Sequence, residues 1–202
     1  KRFAEAAARV AAKDATVWVH DYQLQLVPDL VRQARADVRI GYFHHIPFPA
    51  YGLYAQLPWS KEILTGLLGA DVVGFQRESD AANFIAAVQR QFDYAVSGSE
   101  IRVPTAGGGT RIVLAKAFPI SIDVASVEAI AALPETQERA REIRRGLGDP
   151  DVVLLGVDRL DYTKGIRHRL KAYGELVEER RLKVEDVTLV QVASPSRCRT
   201  ST

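Results

Sequence analysis

Two cationic side chains, Arg159 and Lys164, lie in a loop that follows the apolar segment VVLLGV. A helix is predicted to begin after Gly165, so its free backbone amides would face the same loop. This pattern is typical of a receptor for a diphosphate, because each charge-assisted hydrogen bond contributes about 1.5–3 kcal/mol. Such a receptor could stabilise a nucleoside diphosphate as a leaving group. The spacing equally allows Arg159 to pair with Asp158 or Asp161 and merely fix the loop.

Histidines and an aspartate follow two other apolar segments. His20 and Asp21 come directly after TVWV, and His44 and His45 come directly after VRIGYF. The prolines of the next segment, Ile-Pro-Phe-Pro, stiffen the loop, so it could hold an imidazole or a backbone carbonyl against a sugar. A buried histidine with a satisfied hydrogen bond is the other interpretation. Asp21 could accept a hydrogen bond from a substrate hydroxyl or cap the next helix.

Other motifs give weaker indications. A metal site built on His20 and a later histidine lacks carboxylates or thiolates at matching spacing. The glycines at 107–109 lie inside a hairpin pattern, so they do not form a phosphate loop. Asp149-Pro150-Asp151 precedes its strand and is interpreted as a turn, and Cys198 has no evident base beside it.

The elements that must position these side chains alternate in period, which predicts an α/β protein with a mostly parallel sheet. The strands are predicted at 16–20, 38–43, 71–76, 100–105, 110–118, 152–160 and 187–193. The helices are predicted at 2–13, 22–35, 51–57, 60–69, 78–92, 124–148 and 166–181, with Pro134 starting a second helix inside 124–148. Ser60 is expected to cap its helix, and the strand over 152–160 is expected to be fully buried. Ligands of open parallel sheets bind beyond the carboxyl ends of the strands, where the three polar loops fall.

Composition excludes several classes of protein. The 202 residues carry 27 Lys+Arg against 25 Asp+Glu, a net charge of +2 that does not favour nucleic-acid binding. One Cys excludes an intramolecular disulfide framework, and the short apolar runs predict no membrane-spanning helix. These features favour the cytoplasm. The sequence contains no Met, from which we expect an internal piece of a longer protein.

Five ordered motifs carry a resemblance to a known family: VWVHDYQLQLVPDLVR, GYFHHIPFP, DVVGFQ, FPISID and GVDRLDYTKGI. In this order and at these separations they closely resemble the trehalose-6-phosphate synthases, over essentially residues 1–197. The resemblance implies an α/β fold of GT-B type, with two Rossmann-like parallel-sheet domains, both incomplete in this chain. Residues 1–123 would be the later part of the N-terminal, acceptor-side domain. Residues 124–202 would begin the C-terminal nucleotide-sugar (donor) domain.

The resemblance also implies a reaction. Glucose would pass from a nucleotide-glucose, usually UDP-glucose, to glucose 6-phosphate, giving α,α-trehalose 6-phosphate and the nucleoside diphosphate. Arg159 and Lys164 would bind the donor diphosphate, and His45 would lie beside the donor glucose at the reacting centre. Asp21 would contact the acceptor sugar there, and Arg197 would bind the acceptor phosphate. No metal ion and no cofactor are implied, because the two cations take the electrostatic role.

Retention in this family implies front-face attack, in which the leaving phosphate helps to deprotonate the acceptor hydroxyl. No protein nucleophile is then required. The residues themselves agree with that mechanism, because the sequence shows no convincing pair of carboxylates and no activated Ser or Cys.

The sequence departs from the family at its ends. The family's glycine-rich loop should precede Lys1, and its ribose-binding acidic segment should follow residue 202. After Arg197 the tail CRTST leaves the family's helix-forming pattern. We therefore expect the 202-residue chain alone to have little or no activity, because donor and acceptor must be held together.

Two further readings stay open. One is a non-catalytic truncated or regulatory paralogue with weak nucleotide-sugar binding. The other is a related glycosyltransferase that uses another phosphorylated acceptor, such as a glycerol phosphate or a cyclitol phosphate. A homo-oligomer of the full-length protein is compatible with all three readings.

Overall fold

The computed structural model describes residues 1–105 and 107–195. The chain divides into two compact units, the first covering Lys1–Ser121 and the second beginning at Ile122. Each unit is an α/β structure, as the alternation of apolar periods predicts.

The helices and strands follow one another in the expected order. The helices are α1 (Arg2–Val10), α2 (Val27–Ala34), α3 (Tyr51–Tyr54), α4 (Ser60–Leu67), α5 (Glu78–Gln91), α6 (Val124–Ala132), α7 (Pro134–Gly146) and α8 (Ile166–Glu178). The strands are β1 (Thr16–His20), β2 (Arg39–His44), β3 (Val72–Phe75), β4 (Val96–Ser97), β5 (Glu100–Pro104), β6 (Thr110–Ala117), β7 (Val152–Leu160) and β8 (Val187–Pro195). Short 3-10 turns cover Tyr22–Leu24 and Tyr162–Lys164.

A six-stranded sheet with the order β1-β2-β3-β6-β5-β4 forms the centre of the first unit. The strands β1, β2, β3 and β6 are parallel, whereas β5 pairs antiparallel with β6 and with β4. The hairpin predicted around the three glycines is therefore confirmed. Because β1 and β2 are parallel neighbours, their carboxyl ends lie side by side, with His20 opposite Phe43 in the register.

One face of this sheet carries the hydrophobic core. Alternate strand residues such as Ile40, Tyr42, Val73 and Phe75 are at most 1% exposed. They pack in one cluster with buried residues of α2, α4 and α5, including Val31, Leu64 and Phe84. Burial of aliphatic and aromatic side chains at about 25 cal/mol per Å² is the main force that holds these helices on the sheet.

The opposite face of the sheet is open over β1, β2 and β3. Trp18 on β1 and Ile120 after β6 are 66% and 65% exposed. A cleft of about 480 Å³ lies over this face. Small residues deepen the cleft, because a Cβ at Gly74 would lie 2.8 Å from the Phe43 ring.

The end of α4 and the two residues after it pass the start of α2 at backbone contact distance. A Cβ at Gly69 would lie 2.2 Å from the backbone of Asp29, and one at Gly66 would lie 2.6 Å from the carbonyl oxygen of Gln25. Glycine is therefore required at both positions. The expected cap of α4 is wrong: Trp59 is the residue before the helix, and Ser60 lies buried inside its first turn. The Ser60 carbonyl accepts a hydrogen bond from the Tyr54 hydroxyl at 2.9 Å.

The second unit contains a two-stranded parallel sheet of β7 and β8, which α8 connects. The strand β7 has the bounds predicted for it, Val152–Leu160, but the prediction that it is fully buried is wrong. Leu155 and Val157 are each 67% exposed. A continuous apolar run indicates a strand that can be buried on both faces. In the second unit, however, the described helices and β8 pack over only part of the surface of β7.

In the described ranges, none of the helices has the length and hydropathy needed to cross a membrane.

Candidate functional site

Asp21 directly follows β1 and has a strained backbone conformation. Its φ is 70° and its ψ is 168°, a region that residues other than glycine rarely occupy. Its backbone N–H donates to the Phe43 carbonyl at 2.9 Å, which continues the β1–β2 ladder by one more bond. The Asp21 side chain makes no cap bond to the 3-10 turn that follows. The capping interpretation of this residue is therefore wrong.

The carboxylate of Asp21 instead turns to the neighbouring loop. Its Oδ1 accepts the backbone N–H of His45 at 3.3 Å. The carboxyl ends of the two parallel strands are thus joined by a side-chain bond. Asp21 and His45, which the sequence analysis selected separately, lie together at this edge of the sheet.

His45 is exposed, and its ring lies against the ring of His20. Their Nε2 and Nδ1 atoms are 2.9 Å apart, and the ring centroids are 5.2 Å apart at an interplanar angle of 28°. The sequence pointed to this pair only as a weak metal site. Among residues 1–105 and 107–195, no three His, Cys, Asp or Glu side chains are grouped so that they could hold a metal ion.

His44 has the other role that the sequence analysis allowed for a histidine at this position. It is 3% exposed, and its Nδ1 lies 2.9 Å from the Tyr42 hydroxyl. Burial lowers the pKa of this imidazole, so it is neutral in the folded protein at pH 7. Successive strand residues point to opposite faces, which explains why His44 enters the core while His45 faces outward.

The two cations of the second unit lie at the end of β7 and in the turn that follows it. Arg159, expected in the loop, is the second-last residue of β7 and pairs with Ser194, whereas Lys164 ends the 3-10 turn. Asp158, at the end of β7, accepts a hydrogen bond from Arg169 Nη1 at 2.9 Å, and this bond lowers the pKa of its carboxyl. Asp161 accepts the Thr163 N–H at 2.9 Å and the Thr163 hydroxyl at 2.8 Å, which lowers the pKa of the Asp161 carboxyl. Both carboxylates that could have fixed Arg159 therefore have other hydrogen-bond donors.

Arg159 and Lys164 are exposed, and the described part of the chain gives neither of them a salt bridge. Gly165 adopts the left-handed conformation, with φ 65° and ψ 21°, and α8 begins directly after it. A cleft of about 550 Å³ lies beside this turn and the first residues of α8. The end of β7 and the turn after it thus present two cationic side chains and the amino end of a 13-residue helix.

Of two further arginines, one was predicted from the sequence and the other was not. Arg197, expected at the acceptor phosphate, falls outside the described residues. Arg169 was not selected from the sequence, although it holds Asp158 and also lies 2.5 Å from Gln191 Oε1. The one sequence feature that could have indicated a role for Arg169 is its position in the first turn of α8, from which its side chain reaches Gly156 of β7.

Comparisons with known proteins agree with the motifs. The model of glycosyltransferase family 20 matches residues 1–202. The trehalose-6-phosphate synthase of Mycolicibacterium gilvum is 54% identical over 201 residues, which cover 98% of this chain and 40% of that protein. The chain therefore spans about 40% of the length of this curated relative.

Two solved structures resemble both the sequence and the fold. The α,α-trehalose-phosphate synthase (UDP-forming) of Burkholderia xenovorans, in complex with glucose-6-phosphate, is 28% identical with a TM-score of 0.76. The match covers 99% of this chain and 44% of that one. The N-terminal domain of Candida albicans trehalose-6-phosphate phosphatase is also 28% identical, with a TM-score of 0.74, over 96% of this chain and 41% of that one. The expected α/β fold of GT-B type is thereby confirmed.

Proposed function

Because the chain belongs to glycosyltransferase family 20, we propose that the full-length gene product transfers glucose from UDP-glucose to glucose 6-phosphate with retention. The products are α,α-trehalose 6-phosphate and UDP. The relatives support this activity by their names, trehalose-6-phosphate synthase and α,α-trehalose-phosphate synthase (UDP-forming), and the latter holds glucose-6-phosphate. The observation that carries the proposal in this chain is the pair of exposed cations Arg159 and Lys164, neither of which forms a salt bridge among the described residues.

These two cations suit the diphosphate of the donor. Arg159, near the carboxyl end of β7, offers a planar fork of N–H donors, and Lys164, four residues after β7, offers a compact ammonium. The N-terminus of α8 adds backbone N–H groups and the positive end of a helix dipole. As the bond between glucose C1 and the diphosphate oxygen breaks, negative charge grows on that oxygen. Fixed cations stabilise that charge in the transition state.

The first unit supplies the groups for the sugars. Asp21 contacts the acceptor sugar and His45 the donor glucose, and both belong to the catalytic centre. The observation that supports this assignment is the bond from the His45 N–H to the Asp21 carboxylate. In the transfer step the acceptor oxygen forms a bond to C1 while the diphosphate leaves from the same face. The proton of the acceptor hydroxyl passes to the leaving diphosphate oxygen, and Arg197 binds the acceptor phosphate.

We assign residues 1–123 to the acceptor-side domain and residues 124–202 to the donor domain. The division of the structure after Ser121 supports a boundary in this region. A cytoplasmic location and assembly into a homo-oligomer stay predictions.

The experiment measures UDP release from UDP-glucose and glucose 6-phosphate by the full-length gene product, with product mass identifying the acceptor. We expect Arg159→Ala and Lys164→Ala each to lower kcat/KM about tenfold to hundredfold, from the loss of a charge-assisted hydrogen bond. Arg139→Ala and Lys171→Ala are matched controls, since each removes one exposed cation that pairs only with a surface glutamate in its own helix. Near-normal turnover in both loop variants would refute the diphosphate assignment.

A second candidate is a non-catalytic paralogue that keeps the fold and binds nucleotide-sugar weakly. The likeness to the N-terminal domain of a phosphatase favours it, because this fold also occurs as part of a protein with another named activity. It predicts no UDP release at any protein concentration, with UDP-glucose binding retained in a calorimetric titration. Transfer to a glycerol phosphate or a cyclitol phosphate would instead appear as a product of different mass.

A further inference from the structure

Four aromatic rings form a row on the open face of the first sheet. Trp18 lies 4.5 Å from His20, His20 lies 5.2 Å from His45, and His45 lies 4.8 Å from Phe43, measured between ring centroids. Trp18 and His20 are alternate residues of β1, and Phe43 and His45 are alternate residues at the end of β2. The pleat therefore places all four side chains on one face.

The backbone fixes the positions of His20 and His45 within this row. His20 lies opposite Phe43 in the register of β1 and β2, so the ring of His45, two residues later, reaches back to His20. The N–H of His45 is bound by the Asp21 carboxylate. The main chain of His45 is thus held by Asp21, and its ring is held by His20.

A distance of 2.9 Å between two ring nitrogens requires a single proton between them. Either His20 Nδ1 donates to the Nε2 of His45, or the Nε2 of His45 donates to His20 Nδ1. In both cases the Nε2 of His45 is occupied, and its Nδ1 is the nitrogen left for a ligand. A sugar hydroxyl both donates and accepts, so either tautomer serves a carbohydrate.

We propose that His20 is a positioning residue for His45, which orients the ring and leaves its Nδ1 to the donor glucose. The proposal deepens the function proposed above and rests on it for the identity of the ligand. His20 itself makes no contact with substrate in this proposal. Its substitution should therefore act only through His45.

Two variants separate the hydrogen bond from the ring. His20→Phe keeps an aromatic ring in the row but removes both nitrogens, and His20→Asn places an amide near the position of Nδ1. We expect His20→Phe to lower kcat/KM for UDP-glucose about threefold to tenfold, the value of one hydrogen bond, and to leave KM for glucose 6-phosphate within about twofold. His20→Asn should recover at least half of the loss on a logarithmic scale.

The decisive comparison uses a His45→Ala background. Because His20 acts through His45, adding His20→Phe to His45→Ala should change the rate by less than about twofold. If the two losses multiply instead, His20 has a role independent of His45 and the proposal is overturned.

A measurement that needs no activity separates this proposal from the proposed function. The protein contains four histidines, which are resolvable by 15N NMR, and the exposed His168 serves as an internal reference. In the wild type, one ring nitrogen of neutral His45 should carry the proton and the other should not, and His20→Phe should average the two 15N shifts. Unchanged shifts would overturn the positioning role. A wild type without UDP release but with a fixed His45 tautomer would refute the proposed reaction and keep the His20–His45 pairing.

Discussion

The carboxylate of Asp21 accepts the backbone N–H of His45, and it does so from a backbone conformation that normally belongs to glycine. Such strain amounts to about 1–3 kcal/mol and persists only where surrounding structure enforces it. Here the ladder bond from the Asp21 N–H to the Phe43 carbonyl enforces it. The strained residue is also a proposed catalytic residue, which links the backbone geometry to function.

Two substitutions of Asp21 distinguish the cost of its strained backbone from the role of its carboxylate in the reaction. Asp21→Ala removes the carboxylate and keeps the strained conformation, whereas Asp21→Gly removes both. In urea titrations we expect the free energy of unfolding of Asp21→Gly to be about 1–3 kcal/mol larger than that of Asp21→Ala. Both variants should lose the transfer activity. Equal stability of the two variants would contradict the strain argument.

The buried His44 should make the stability of the first unit depend on pH. Burial lowers the pKa of its imidazole in the folded state, while the unfolded chain has the ordinary value of 6.5. Below about pH 6.5 the unfolded state therefore binds a proton that the folded state does not, and the unfolding free energy falls by up to about 1.4 kcal/mol per pH unit until the folded pKa is reached. Above pH 6.5 this contribution is constant.

The matched variant for this effect is Tyr42→Phe combined with His44→Leu. It replaces both partners of the 2.9 Å bond with apolar groups, so it leaves no buried polar atom unpaired. We expect its urea midpoint to change less than that of the wild type between pH 7 and pH 5. Parallel pH curves would show that His44 is not the group responsible.

Asp71, directly before β3, joins α2 to β2. Its Oδ2 accepts bonds from Arg32 Nη2 at 2.6 Å and from the Ile40 N–H at 2.7 Å. Asp71→Ala should lower the unfolding free energy by about 2–3 kcal/mol, because a partly buried guanidinium and a backbone N–H both lose their acceptor. The exposed pair of Arg139 and Glu142 gives the control, since Glu142→Ala should change stability by at most about 0.5 kcal/mol.

The crossing of α2 and α4 gives a prediction for glycine. In Gly66→Ala the new Cβ would lie 2.6 Å from the carbonyl oxygen of Gln25, which lies two residues before the first residue of α2, so α4 and this segment must move apart. We expect a loss of about 1–3 kcal/mol in thermal or urea unfolding. Gly52→Ala is the control, because nothing lies within 4 Å of its added Cβ and stability should hold or rise. A neutral Gly66→Ala would contradict the contact.

Local patterns predicted most of the elements and the loops that carry chemistry. The period of apolar residues predicted the bounds of β1, and the proline at position 134 predicted the first residue of α7. The apolar period could not show which of two adjacent histidines enters the core, because that depends on the phase of β2 relative to the helices packed on it. The apolar content of β7 also predicted that the strand is buried, which is wrong. Apolar content shows that a strand can be packed on both faces, but not whether the described residues include the elements that pack on it.

Pairings between distant residues were beyond reach of the sequence. Spacing left Arg159 free to pair with Asp158, and only the placement of Arg169 on the neighbouring helix decided against it. The bond between His20 and His45 likewise depends on the register of two parallel strands. Such contacts join residues 11 to 25 positions apart, and the sheet and helix packing that determine them are not local.

The place of Trp18 at the end of the aromatic row makes it an optical reporter of the site. Its ring centroid lies 4.5 Å from that of His20, and its indole is exposed. The only other tryptophan is Trp59, so Trp59→Phe leaves a single fluorophore. Since an imidazolium quenches indole emission more strongly than a neutral imidazole, the fluorescence of that variant reads the charge of the histidine pair directly. The molecule thus contains its own probe for protonation of the His20–His45 pair.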